Sequence, residues 1–308
     1  NYGEEIIFEE SLGMLTTGLY VPIAMVLPYI IAFYFLLSIL EDTGYMPRLA
    51  TLVDNIFHKL GMHGHGIISV FLGFGCNVPG ALSTRSLETR KQRFISATLL
   101  AISVPCMAQT AMVFGVLGQF GVVYLLFVFL ILISLYLILG IILNHYVKGS
   151  SPEIFLEVPP YRRPSIKALF KKTWMRIRWF IREAIPFLFL GVFLINILYH
   201  IGIMQAISSL FSPLMTTLFG LPGEATTSLL IGFLRKDLAV GTLIPLQLSA
   251  YQLVIAVTML TIYFPCVATF SVLFRELGLK DLLKSTAIMI LTAISVGFFL
   301  RLVLLGLP

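Results

Sequence analysis

Three cysteines lie beside residues that interrupt helical hydrogen bonding. Cys76 lies in the glycine-rich segment GFGCNVPG (73–80), which also contains Pro79, whereas Cys106 and Cys266 each directly follow a proline. Thiolates bind borderline-soft divalent metals such as Fe²⁺ and Zn²⁺ well, and they suit Mg²⁺ or Na⁺ poorly. A free cysteine can also be an ordinary small buried apolar residue. The recurrence at helix-breaking positions favours metal binding.

Oxygen ligands are expected close to these thiols. Proline has no N–H group, so the carbonyl four residues earlier loses its helical partner, here at Ala101 and Thr261. Asn77 directly follows the first cysteine, and Gln109 and Thr269 follow the other two by three residues, on the same helical face. The sequence therefore predicts thiols surrounded by carbonyl, amide and hydroxyl oxygens.

Charged residues interrupt or end two apolar segments. Glu41 and Asp42 end the first segment, and Lys236 and Asp237 lie within the broken apolar stretch 226–245. Charges at membrane depth are unfavourable and are functional by default. Interfacial charges, or an internal ion pair, are the alternative interpretations. Besides the three cysteines, the residues predicted to line or gate a path are Asn77, Pro79, Gln109, Thr269, Glu41, Asp42, Lys236 and Asp237.

The composition indicates a membrane protein. Of 308 residues, 58% are hydrophobic and 12% are charged, about half the charged fraction of a soluble domain. Several nearly charge-free segments approach or exceed the length that spans a bilayer as a helix. These segments are Thr17–Leu40, Phe94–Gly118, Phe120–Val147, Ile185–Ile201, Tyr251–Leu273 and Leu283–Leu307. Neither an enzyme triad nor a carboxylate pair is evident, and no enzymatic activity is expected.

The distribution of basic residues predicts the orientation. Nine Lys and Arg residues lie between Lys148 and Arg182, within a net charge of +6. Such runs accumulate on the cytoplasmic side of membranes. A cytoplasmic loop with an amphipathic helix on an anionic leaflet is therefore expected, and nucleic-acid binding is not. The acidic N-terminus is then outside the cell.

An internal repeat predicts the architecture. Pro105-Cys106 and Pro265-Cys266 recur at an offset of 160 residues, and neighbouring glycines match too. With the predicted orientation, the halves enter the membrane from opposite sides, as in inverted-repeat transporters. We expect an all-α polytopic membrane protein with two inverted repeats, each with spanning helices and a broken re-entrant half-helix. In the first repeat, the short apolar stretch 66–82 is interrupted by glycines and Pro79, which predicts a half-helix followed by a loop. The predicted regions are 1–147 (first repeat), 148–183 (cytoplasmic loop) and 184–308 (second repeat).

Several motifs resemble the membrane region of the ferrous-iron transporter B family (FeoB). The matching motifs are LEDTGYM (40–46), GFGCNVP (73–79) followed by Thr84-Arg85, EVPPY (157–161), KD with VGTL (236–243), and the final Pro265-Cys266. Asp237 stands where the family has Glu, and Gln109 where it often has Arg. The resemblance covers nearly the whole chain and implies two "gate" regions similar to nucleoside-recognition domains.

The resemblance implies inward transport of Fe²⁺ across a prokaryotic inner membrane. It also implies a cytoplasmic GTPase domain with GTP and Mg²⁺, but no phosphate-binding loop motif is found here. A fragment of a longer protein is therefore expected. The bilayer and that GTPase domain are the implied partners, and a small accessory protein or a homo-oligomer is compatible with the resemblance. A carrier of nucleosides or other solutes, and a scaffold without transport, remain as alternatives.

Overall fold

The described part of the chain is helical. The computed structural model describes residues 27–149, 161, 164–178, 181–182, 186, 193, 209, 212–213, 215–234, 236, 239 and 243–306. No β-strand occurs among these residues. The predicted all-α membrane fold is therefore confirmed, whereas the inverted relation between the halves stays a prediction. Asp237 and nearly all of the predicted span Ile185–Ile201 lie outside the described residues.

The chain forms two compact units. Unit 1 comprises Asn1–Arg48 and Leu156–Met204, and unit 2 comprises Leu49–Phe155 and Gln205–Pro308. All three cysteines belong to unit 2, so the thiol chemistry is confined to that unit. Glu41 and Asp42 belong to unit 1.

Unit 1 contains α1 (Leu27–Asp42) and the helical residues 166–178, here α8. Leu169, Thr173 and Ile177 of α8 are buried at a spacing of four residues. This spacing places them on one face of a helix. The Thr173 hydroxyl donates to Ser38 Oγ of α1 at 3.4 Å, so the buried face of α8 packs toward α1.

Unit 2 is built around one apolar core. Its central helices, α5 (Arg90–Ser103) and α10 (Ala250–Ile262), bury every residue over 94–103 and 253–262. A Ser249–Gln252 capping box begins α10. The helices are α2 (Tyr45–Lys59, which starts in unit 1), α3 (Gly66–Gly75), α4 (Asn77–Ser83), α5 (Arg90–Ser103), α6 (Met107–Leu117), α7 (Val122–Tyr146), α9 (Ala225–Leu234), α10 (Ala250–Ile262) and α11 (Val267–Leu304).

Three helical stretches among the described residues are long and apolar enough to cross a membrane. They are Arg90–Leu117, Val122–Tyr146 and Ala250–Leu304, the last with 55 residues. At 1.5 Å per residue, 55 residues would measure about 80 Å, far more than the ~30 Å hydrocarbon core. That stretch is interrupted at 263–266, and again at Gly278, which has φ +74°. The protein is a multi-pass membrane protein.

The structure corrects the predicted boundaries at the broken segments. We expected a half-helix and a loop over 66–82, but residues 77–83 form the helix α4. Pro79 is tolerated there because the first N–H groups of a helix have no intrahelical partner. The span Phe94–Gly118, expected to be one helix, ends at Ser103 and resumes at Met107. The prolines thus divide the helices completely, because their neighbours adopt extended conformations.

Candidate metal site at three helix breaks

Cys76 lies at the turn of a helical hairpin. Its backbone is extended (φ −154°, ψ 132°) between α3 and α4. The Ser83 hydroxyl donates to Ser69 Oγ at 2.8 Å, so the two helices run back along each other. A Cβ atom on Gly80 would lie 2.9 Å from Gly73 Cα, so this approach requires glycine. The hairpin therefore presents Cys76 at its tip.

Asn77 provides an unpaired oxygen atom beside this thiol. The residue is 5% exposed, and its Oδ1 accepts no hydrogen bond within the described ranges. A buried carbonyl oxygen without a partner is unfavourable, and a cation would satisfy it. This atom fits the oxygen ligand predicted next to Cys76.

Cys106 lies in the break between α5 and α6. Its backbone is extended (φ −73°, ψ 170°), and it caps the start of α6. The Cys106 N–H donates to Gln109 Oε1 at 2.8 Å. Gln109 thus fixes the backbone at the thiol, three residues away as the sequence predicted.

Cys266 occupies the equivalent break between α10 and α11. Its backbone angles (φ −63°, ψ 157°) resemble those of Cys106, and it likewise precedes the first residue of a helix. Cys266 Sγ lies 3.2 Å from Thr269 Oγ1, within hydrogen-bonding distance for sulfur. Gln109 therefore contacts Cys106, and Thr269 contacts Cys266.

The Thr261 carbonyl joins the two Pro-Cys segments. Pro265 cannot donate to it, as predicted, and Lys236 Nζ donates to it instead at 3.0 Å. Gln109 Nε2 also approaches this carbonyl, at 3.5 Å. Lys236 is 5% exposed, so its ammonium is buried beside the break.

The three thiols do not form one cage within the part of the chain that the structure describes. Each cysteine is free and partly buried. Gln109 joins the Cys106 N–H to the Thr261 carbonyl, which also accepts from Lys236, so the ammonium lies near the Cys106 break. Within the described ranges no three His, Cys, Asp or Glu side chains are arranged to hold one metal ion.

Sequence reasoning missed some buried oxygen atoms in unit 2. Ser103 Oγ, Thr226 Oγ1 and Thr258 Oγ1 are buried and have no hydrogen-bond partner in the described part of the chain. Ser103 ends α5, just before the Cys106 break, and Thr258 lies one turn before Thr261. The sequence signal that could have identified these oxygen atoms was the presence of Ser and Thr within apolar helices. A buried hydroxyl is unfavourable unless it has a hydrogen-bond partner.

Glu41 and Asp42 belong to unit 1, where both form ion pairs. Arg176 Nη2 lies 2.7 and 2.8 Å from the two Glu41 carboxylate oxygens. Asp42 accepts from Lys172 Nζ at 3.1 Å and from the Ser165 N–H at 3.0 Å. These carboxylates hold α8 against the end of α1.

Comparison with known families agrees with this architecture. The family model described as nucleoside recognition (Gate) matches residues 23–120 and 181–280, together more than half of the chain. The model for the ferrous iron transport protein B C terminus matches residues 125–176 between them. The chain belongs to the FeoB family. The resemblance indicated by the motifs is confirmed, including two matches to the gate-type model.

Curated FeoB relatives are similar over most of the chain. The Fe(2+) transporter FeoB of Staphylococcus aureus (strain COL) is 30% identical over 299 residues, covering 85% of this chain and 44% of the relative. That of Methanocaldococcus jannaschii is 29% identical over 312 residues, covering 87% and 46%. That of Legionella pneumophila is 32% identical over 246 residues, covering 70% and 32%. The chain thus spans less than half the length of these relatives. No solved structure matches it significantly.

Proposed function

We propose that this FeoB-family chain is the membrane-permeation part of a transporter that carries Fe²⁺ into the cytoplasm. The observation that carries the proposal is the placement of Cys76, Cys106 and Cys266 at three helix breaks of one unit. Its curated relatives are named Fe(2+) transporters.

The ligand chemistry suits this ion. Fe²⁺ accepts both sulfur and oxygen ligands. Cys76 lies beside the unpaired Oδ1 of Asn77, and Cys266 beside the hydroxyl of Thr269. The thiol and oxygen ligands at each break would replace part of the hydration shell of the ion. Several partial sites allow an ion to enter and also to leave, as conduction requires.

The other predicted residues take supporting roles in this proposal. Pro79 and Gln109 shape the backbone at Cys76 and Cys106, and thereby position the thiols. Glu41 and Asp42 would respond to movement of α8, because their ion pairs attach that helix to α1. Lys236 and Asp237 would act as gating charges.

The proposed setting follows from the sequence. Residues 1–147 and 184–308 would be two inverted gate repeats, and 148–183 a cytoplasmic loop, in the inner membrane of a prokaryote. A GTPase domain of the same protein, with GTP and Mg²⁺, would regulate or drive transport. A small accessory protein and a homo-oligomer are further proposed partners. The chain itself would not be an enzyme.

Fe²⁺ uptake tests the thiols directly. Full-length protein is reconstituted into vesicles, and uptake is measured for C76S, C106S and C266S. We expect each uptake rate to fall about tenfold or more, since even residues that only support metal ligands change affinity by 10–100-fold. M112L is the matched control, because Met112 is a buried sulfur residue of α6 away from the breaks. Undiminished uptake in all three variants would refute the thiol role.

A nucleoside or other organic solute carrier is the second candidate. The specific observation in its favour is the match of residues 23–120 and 181–280 to the Gate family, which is described as nucleoside recognition. Radiolabelled nucleoside uptake into the same vesicles, with metal chelated, separates the two functions. Nucleoside uptake that is independent of metal, without Fe²⁺ uptake, would establish this alternative. If the protein is a scaffold without transport, the vesicles should take up neither Fe²⁺ nor nucleoside. Lys236 and Asp237 should then tolerate apolar replacement.

A further inference from the structure

The Lys236 ammonium is a buried cation at the Pro-Cys segments. Its Nζ donates to the Thr261 carbonyl at 3.0 Å, and the residue is 5% exposed. Within the described ranges no carboxylate lies at ion-pair distance from it. Gln109, which also approaches this carbonyl, accepts from the Cys106 N–H at 2.8 Å, so the ammonium lies beside the break that holds Cys106. Cys266 follows Thr261 by five residues, in the other Pro-Cys segment.

A neutral hydrogen-bond donor would satisfy the Thr261 carbonyl at a smaller cost in desolvation free energy than an ammonium. An amide side chain could donate the same hydrogen bond, and the Gln109 amide already approaches this oxygen at 3.5 Å. Burying an ammonium at membrane depth is much more unfavourable than burying an amide. The positive charge itself therefore needs an explanation beyond hydrogen bonding.

The internal repeat provides one. The offset of 160 residues that relates Cys106 to Cys266 also relates Cys76 to Lys236. At the repeat position where the first half has a thiol, the second half has a cation. The Thr261 carbonyl contacts that cation, and Cys106 and Cys266 belong to the two Pro-Cys segments beside it. A carbonyl oxygen with two thiols is a ligand set that suits a borderline-soft divalent metal.

We propose that the Lys236 ammonium occupies the position that a divalent cation takes beside Cys106, Cys266 and the Thr261 carbonyl, so that an entering ion must displace it. The inference rests on the proposed function for its cargo, Fe²⁺, but the competition itself concerns any thiol-binding divalent cation. Like charges repel strongly in a low-dielectric site, so the ammonium and the metal ion exclude each other.

Selectivity follows from this competition. A divalent ion interacts with the thiolates twice as strongly as a monovalent ion at the same distance, so it displaces the ammonium more readily. The thiols that bind the ion lose their protons to solvent. When no ion is present, the ammonium satisfies the Thr261 carbonyl, and the site stays closed to Na⁺ and K⁺.

Cadmium binding tests the competition. Cd²⁺ is titrated into purified full-length protein in detergent, and Cd–thiolate absorbance is recorded. K236Q keeps a hydrogen-bond donor but removes the charge, and K236R keeps the charge. We expect K236Q to bind Cd²⁺ at least about tenfold more tightly, and K236R to remain like the wild type. Equal or weaker Cd²⁺ binding by K236Q would overturn the proposal.

A second measurement uses the unmodified protein, in case K236Q does not fold. Lys236 acetylation by acetic anhydride is quantified by mass spectrometry with and without Cd²⁺. Displacement should raise acetylation of Lys236 several-fold, and the double variant C106S/C266S should show no rise. Unchanged acetylation of the wild type would also overturn the proposal.

Failure of the transport proposal remains distinguishable. If vesicles take up no Fe²⁺ but K236Q binds Cd²⁺ more tightly, the competition stands and the transport proposal fails. If Fe²⁺ uptake depends on the cysteines while K236Q leaves Cd²⁺ affinity unchanged, transport stands and the competition is refuted.

Discussion

Arg85 and Glu276, 191 residues apart in the chain, form an ion pair in which Arg85 Nε lies 2.7 Å from both carboxylate oxygens. Arg90 and Asp281 form a second pair with the same separation, with Nη2 2.7 Å from Oδ2. Their acidic partners lie on either side of Gly278, where α11 is interrupted. Arg85, just after the Cys76 hairpin, and Arg90, at the start of α5, thus each hold one segment of α11.

Charge reversal at the first pair should destabilise the protein, and a double reversal should restore it. We expect R85E to reduce the free energy of unfolding by about 1 kcal/mol, because Arg85 is more than half exposed and solvent weakens the pair. R85E/E276R should recover most of this loss. Thermal stability in detergent, read by size-exclusion chromatography after heating, checks both variants. Equal stability of the single and double variants would contradict a direct interaction.

The close approach within the Cys76 hairpin should be sensitive to one methyl group. A Cβ atom on Gly80 meets the Gly73 backbone at 2.9 Å, so G80A should reduce stability by about 1–3 kcal/mol. G115A is the control, because a Cβ atom on Gly115 has no neighbour within 4 Å. Thermal unfolding of the two variants is compared in detergent. A loss of stability in G115A as large as that in G80A would argue against the hairpin contact.

Gln109 should matter for both stability and transport. Its amide joins the Cys106 N–H to the Thr261 carbonyl, and Q109L removes both contacts. We expect a loss of about 1–3 kcal/mol, because buried groups are left without partners. The exposed Gln119, which only approaches Val116 O at 3.4 Å, makes Q119L the matched control. Thermal unfolding and Fe²⁺ uptake are measured for both, and wild-type values for Q109L would refute this role.

The exposed face of α8 should contact lipid. Ile166, Phe170 and Trp174 are 72%, 63% and 66% exposed at a spacing of four residues, with the exposed Lys167 and Lys171 adjacent. Such a face typically enters the interface of an anionic bilayer. The W179F substitution leaves Trp174 as the single tryptophan of this sequence. Brominated lipid should quench the fluorescence of Trp174, and the quenching should be stronger in anionic vesicles. Strong quenching by aqueous acrylamide instead would contradict this placement.

The helix breaks beside the cysteines were predictable from local chemistry. Pro105 and Pro265 lack N–H groups wherever the chain places them, and the Thr261 carbonyl is indeed without its helical donor. The membrane class followed from apolar length in the same way. The prediction was wrong where local signals compete, as at 77–83, where Pro79 indicated a loop although it fits the first turn of a helix.

The membrane class, the helix breaks and the cysteines beside them could thus be inferred from the amino-acid order. These depend on bonds between residues a few positions apart. The partner of the freed Thr261 carbonyl could not be inferred in this way. Lys236 donates to it, and Gln109, 152 residues away in the chain, approaches it. The pairing of Arg85 with Glu276 could not be inferred either. Such partners depend on how distant segments pack, and no local hydrogen-bonding rule specifies that packing.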